Sequence, residues 1–161
     1  MNTLYFLKDV IEITGINQPK LQQWLRDGFV RATVKGKGSG SRNMFDFNNL
    51  CEIVLFSRLV KSGLSRGEAS AKSQTMPSLE LMEDKLKGPF FLNIFSDFSG
   101  HEPTISTLSA PEDSRVTPDK VVSESGLDAS NYDMITMLNI RKLYTDVKIA
   151  IARYEAGKLQ R

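Results

Sequence analysis

Glycines at positions 15, 28 and 63 each close an apolar-periodic segment, which confines the first 75 residues to short helices separated by tight turns. In "YFLKDVIEITG" the residues Phe6, Leu7, Val10, Ile11 and Ile13 run close to helical spacing up to Gly15. "INQPKLQQWLRDG" restarts at once: Asn17 is placed to cap a second helix, Pro19 sits in its first turn where no N–H partner is needed, and Gly28 stops it. Leu21, Trp24 and Leu25 fall on one face, which leaves Gln18, Lys20, Gln22, Gln23 and Arg26 for the other side. The pair reads as a helix-turn-helix held by an apolar seam. "FNNLCEIVLFSRLVKSG" predicts a third helix on Leu50, Ile53, Val54, Phe56 and Leu59, with Cys51 inside it as a small hydrophobe. Ser65 and Glu68 in "SRGEA" form a capping box that opens a fourth.

Between the second and third helices lies "VKGKGSGSRNMFDF", with three glycines and three cations in one run. A phosphate-cradling P-loop needs two glycines separated by four residues and followed by Lys and Ser/Thr, whereas here Gly40 is followed by Ser41 and Arg42. The order Gly36, Gly38, Gly40 also fails the dinucleotide fingerprint. A slack linker does not resume as Phe45, Phe47 and Leu50. The remaining reading is a β-hairpin wing: "FVRATV" as the outgoing strand, "NMFDF" as the return, and glycines at the tip. Arg31, Lys35, Lys37 and Arg42 are its cations, and Lys35, Lys37 and Arg42 are placed to meet a sugar-phosphate backbone.

Charge follows the same division. Residues 1–75 carry 11 Lys and Arg against 6 Asp and Glu, a balance of +5, while residues 76–161 carry 10 against 13, a balance of −3. The N-terminal half is the candidate polyanion binder. One cysteine forbids an internal disulfide and gives no cluster for structural zinc, which fits a reducing, cytoplasmic setting. Charges interrupt the apolar runs before a bilayer-spanning length, and Asp9 and Glu12 lie where a signal peptide would be uncharged, so no membrane association is expected.

The order helix, turn, helix, wing, helix, helix resembles the winged-helix DNA-binding domain of the MerR family over about residues 4–75. The blocks that carry the resemblance are "LQQWLRDGFV", "GSRNMFDFNNL" and "LVKSGLSRGEA", in the family's order and spacing. Leu21 matches the family's core leucine, Trp24 its aromatic, Gly28, Phe29 and Val30 the helix stop with its apolar pair, Arg42 the wing arginine and Phe45 the aromatic after it. Two positions depart: Gln22 stands where the family has an arginine, and Leu25 where it has a glutamate. The resemblance implies double-stranded DNA as partner and a homodimer formed through a C-terminal helix. The family's ligand-sensing cysteines are absent. "QWLRDGFV" and "SGSR" also look like phage excisionases and the small-terminase DNA-binding domain, which keeps open a DNA-anchored packaging or recombination accessory that recruits a protein.

Met76-Pro77 to Ser78 marks a break, and residues 76–161 read as a second, small α/β domain. "SLELMEDKLKG" predicts a short helix, "PFFLNIFSDF", "PTISTLSA" and "YDMITMLNI" three strands, and Pro118–Ser125 a short helix within a polar stretch. "IRKLYTDVKIAIARYEAGK" is the clearest helix of the chain, with Ile140, Leu143, Tyr144, Val147, Ile151 and Tyr154 on one stripe and Ile149 off it. Burial against its own sheet is the plain expectation for that stripe, with a dimer interface as the alternative. Such a domain could join two protomers, sense a small molecule or bind a protein.

Asp97, His101 and Glu102 in "SDFSGHE" offer acid, base and carboxylate, but in a turn they read as solvated residues. Ser123 lacks the preceding glycine of a nucleophile elbow. The expectation is therefore an α+β protein, an N-terminal winged helix-turn-helix followed by a small α/β domain with a long C-terminal helix. It would bind DNA as a sequence-specific, homodimeric transcription regulator, with no enzymatic activity, cofactor or metal. Its expected contacts are Gln18, Lys20, Gln22, Gln23, Arg26, Arg31, Lys35, Lys37 and Arg42.

Overall fold

The computed structural model describes residues 3–36, 42–76, 90–96, 103–109 and 116–159. Lys37 and the hairpin tip, the helix expected in "SLELMEDKLKG", and Asp97, His101 and Glu102 lie outside the described residues. Within them the protein is mixed α+β, with six helices and two small antiparallel sheets. It divides into two compact units, Met1–Pro77 joined by Leu143–Arg161, and Ser78–Lys142.

In the first unit a two-residue strand, β1 (Tyr5–Phe6), leads directly into α1 (Leu7–Thr14). The Phe6 N–H donates to Asp9 Oδ2 at 2.8 Å, so the third residue of the helix reaches back to satisfy its entry. Gly15, at φ 69, ends α1 with its N–H on the Ile11 carbonyl. α2 (Gln18–Arg26) begins three residues on, capped by Asn17, whose Oδ1 accepts from the Lys20 N–H at 3.0 Å. At its end Gly28 takes φ 77, its N–H bonds to Leu25 O, and the Phe29 N–H returns to Trp24 O at 2.9 Å. This double closure is a Schellman motif, which needs the left-handed residue that glycine supplies.

That closure corrects one expectation. "FVRATV" is not a strand, because Phe29 and Val30 both turn their N–H groups back to Trp24 O and the segment is used to end α2. Only Val34 pairs, through reciprocal hydrogen bonds of 3.1 and 3.0 Å with Met44. β2 (Met44–Phe45) pairs instead with β1, Tyr5 opposite Phe45 and Phe6 opposite Met44. α3 (Phe47–Lys61) starts in a reciprocal box between Asp46 and Asn49, and α4 (Arg66–Thr75) in the predicted one between Ser65 and Glu68. α4 is tied back to the end of α2: Ser70 Oγ donates to Phe29 O at 2.8 Å. Val10, Leu21, Trp24, Phe45, Leu50, Ile53, Phe56 and Leu59 form the buried interior, and Cys51 is buried with its thiol pushed up by desolvation.

In the second unit β3 (Phe90–Ser96) is the centre of a three-stranded sheet, with β4 (Thr104–Ser109) on one side and β5 (Met134–Asn139) on the other, both antiparallel. α5 (Pro118–Ser125), capped by Thr117 and stopped by Gly126 at φ 68, supplies Val121, which packs with Phe95 and with Phe91, Ile135 and Met137. Asn93 is buried in the middle of β3, and its side-chain amide has no hydrogen-bond partner among the described residues.

α6 (Ile140–Lys158) follows β5 without a break, and the Asn139 side chain accepts from the Lys142 N–H at 2.8 Å. Here the packing differs from the division at 75/76. From Leu143 onward α6 belongs with the first unit: Tyr144 lies beside Phe47 with ring centroids 6.2 Å apart, Asp146 pairs with Arg58 at 3.5 Å, and the Tyr5 hydroxyl donates to Glu155 at 3.0 Å. The amphipathic stripe was legible; its partner was a distant segment rather than the adjacent sheet. No helix among the described residues is long and apolar enough to cross a membrane.

Candidate nucleic-acid interface

α2 is half interior and half surface. Leu21 and Trp24 are buried, Leu25 is half-buried, and Gln18, Lys20, Gln22, Gln23 and Arg26 are exposed. At 100° per residue, Gln18, Gln22 and Arg26 follow one another along one flank, whereas Lys20 falls on the opposite flank. Its ammonium lies 5.0 Å from the centroid of the Trp24 ring, over the indole.

The hairpin base carries the next two cations. The Val34–Met44 pair fixes where the chain leaves and returns, and the Gly36 N–H donates to Asn43 Oδ1 at 3.0 Å, extending the closure by one step. Lys35 and Arg42 are exposed on either side of it. Arg42 and Gln18 come together: both line a hollow of about 360 Å³ whose other walls are Phe6, Leu7, Lys8, Ile11 and Asn43. Thus the start of α2, the first turn of α1 and the return of the hairpin meet at one depression, with Lys8 and Arg42 as its cations.

Lys8, Phe6 and Asn43 were not among the residues expected from sequence. Lys8 reads as an ordinary solvated position of an amphipathic helix, and only the β1–β2 pairing brings that first turn beside the hairpin.

Arg31 stands apart from the others. Its guanidinium pairs with Glu52 Oε2 at 3.5 Å, and the Glu52 side chain is only 11% exposed. Burial pushes the Glu52 carboxyl up and the Arg31 charge opposes that shift, while the arginine side chain itself stays 52% exposed. The Thr33 hydroxyl contacts the Asn49 side chain and accepts from the Asp46 N–H at 3.0 Å, which anchors the rest of the segment to the start of α3.

A larger hollow of about 410 Å³ lies between α1 and α6, lined by Glu12, Ile13, Ala150, Arg153, Tyr154, Gly157 and Lys158. It mixes charges of both signs and contains none of the residues expected to touch DNA. No protein-family model and no curated protein matches this chain.

Proposed function

We propose that this protein binds double-stranded DNA through a winged helix-turn-helix formed by α1, α2 and the 34–44 hairpin, and that it acts as a homodimeric, sequence-specific regulator of MerR-like type. The observation that carries the reading is the shared depression: Gln18 at the head of α2 and Arg42 on the hairpin line one hollow with Lys8. A helix presenting amides beside a cationic hairpin suits a duplex. Gln22 and Gln23 have the donor-acceptor pair that reads adenine, Arg26 can take guanine or a phosphate, and Lys35 and Arg42 hold the backbone.

The test is binding to a pool of random duplexes followed by titration of the selected sequence over a salt series. Arg42→Ala is expected to weaken every sequence alike and to reduce the log-log salt slope by about one unit. Gln23→Ala is expected to keep the slope and alter the selected sequence. A parent protein that retains no duplex at low salt would refute the proposal.

The dimer rests on the outward side of α6. Ile149, Ala152, Ala156 and Leu159 recur at heptad spacing opposite the packed stripe, with Ile149 45% and Leu159 90% exposed. Sedimentation should give a dimer for the parent and a monomer for Ile149→Lys, and a monomeric parent removes the dimer from the proposal.

A further inference from the structure

The small sheet of the first unit has one face in the interior and one outside. Residues opposite each other in antiparallel strands point to the same side, so Tyr5 and Phe45 share one face while Phe6, Met44 and Val34 share the other. Tyr5 and Phe45 are buried. Phe6 and Val34 are 39% and 40% exposed, and Met44 lies half-buried between them. Leu4, just before β1, is also exposed. A row of large apolar side chains on the surface of so small a unit marks a contact face.

The charges around it select the occupant. Phe6 lines the same hollow as Lys8 and Arg42, and Lys35 follows Val34 directly. Of the acids nearest in sequence, Asp9 is buried and turned inward, accepting from the Phe6 N–H, and the half-buried Asp46 is engaged at the start of α3, where it accepts from the Asn49 N–H. A second copy of the chain seated here would set Lys8, Lys35 and Arg42 against themselves. The complementary surface is apolar and bordered by anions, which describes a sugar-phosphate strand: deoxyribose rings with a phosphate on either side.

We propose that Phe6, Val34 and Met44 form a seat for the deoxyribose wall of duplex DNA, with Lys8, Lys35 and Arg42 on the flanking phosphates. This rests on the DNA-binding reading and adds to it an apolar component of affinity, independent of salt and of base sequence. It also assigns Lys8, on α1, as a phosphate contact. Apolar side chains inserted between base steps are an established means of adding contact area to a duplex, and the deoxyribose wall offers an apolar surface of the same kind without requiring unstacking.

The experiment uses the full chain and a fluorescent duplex selected by the parent, titrated across a salt series. Phe6→Ala combined with Val34→Thr is expected to weaken binding about ten-fold at every salt concentration with the slope unchanged. Lys8→Ala is expected to lower the slope by about one unit. Melting curves report whether each variant folds, and Val34→Thr alone, which keeps the β-branched shape, carries the test at about three-fold if the double variant unfolds. If the parent binds duplex and these variants bind it equally well, the apolar seat is wrong and the DNA reading stands. If the parent binds no duplex, both fall. If an acidic polypeptide such as polyglutamate binds with the same dependence on Phe6 and Val34 while duplex does not, the face is a protein-docking surface and the proposal is overturned.

Discussion

Trp24→Ala is expected to destabilise the protein by about 3–5 kcal/mol, the range for removing a fully buried large aromatic. Trp24 is 2% exposed and meets Phe56 edge-on at 4.7 Å between ring centroids, while Phe56 stacks on Phe29 at 5.9 Å. The three rings join α2, its closing turn and α3. Truncation leaves a cavity at that junction, removes the surface on which Lys20 lies, and loosens the turn whose N–H groups return to Trp24 O. A fall in melting temperature of roughly 10 °C or more is the measurable form of this loss in a chain of this size. Trp24→Phe keeps a ring in the site and is expected to lose less than half as much. A Trp24→Ala protein that melts within about 2 °C of the parent would show that α2 is held by something other than this aromatic group.

Asp9→Ala is expected to cost about 2–4 kcal/mol, because one buried carboxylate serves three partners. It accepts the Phe6 N–H at the entrance of α1 and the Tyr154 hydroxyl from α6, and the Lys158 ammonium lies 3.7 Å away. Burial alone would raise its pKa; the hydrogen bonds from Tyr154 and Phe6 and the charge of Lys158 outweigh it, so the carboxyl is held below its ordinary value. A folded-state pKa below the unfolded one contributes stability that is fully present above the usual aspartate range and is lost as pH falls through the folded value. Melting curves taken from neutral pH down to about pH 2 should therefore decline more steeply below about pH 4 for the parent than for Asp9→Asn, which keeps an acceptor oxygen but not the charge. Parallel curves would place the acid sensitivity elsewhere.

Local chemistry was the part of this fold that could be read in advance. Asn17, Ser65 with Glu68, and the glycines at 15, 28 and 63 announce helix ends because each meets a need for a particular hydrogen bond or a positive φ. Pro118–Ser125 and Ile140–Lys158 were legible for the same reason, through a proline start and a long apolar repeat. What escaped is the pairing of distant segments. β1 and β2 are two residues each, too short to show any alternation, yet their pairing brings Phe6 and Lys8 beside the hairpin. "FVRATV" looks like a strand by composition, but the carbonyl of Trp24 claims its first N–H groups. The cations of the site were visible individually; that Arg31 pairs with Glu52, 21 residues away, was not. The stripe on α6 announced burial without naming what it would be buried against.

The grip of Tyr154 and Lys158 on Asp9 links positions 145 and 149 residues apart in the chain. During synthesis the segment bearing α1 to α4 leaves the ribosome long before its clasp has been translated, and the contiguous Ser78–Lys142 unit can mature first. The segment bearing α1 to α4 lacks this contact until α6 has been translated. A stop codon before Tyr154 would accordingly be felt in α1, 145 residues earlier in the chain.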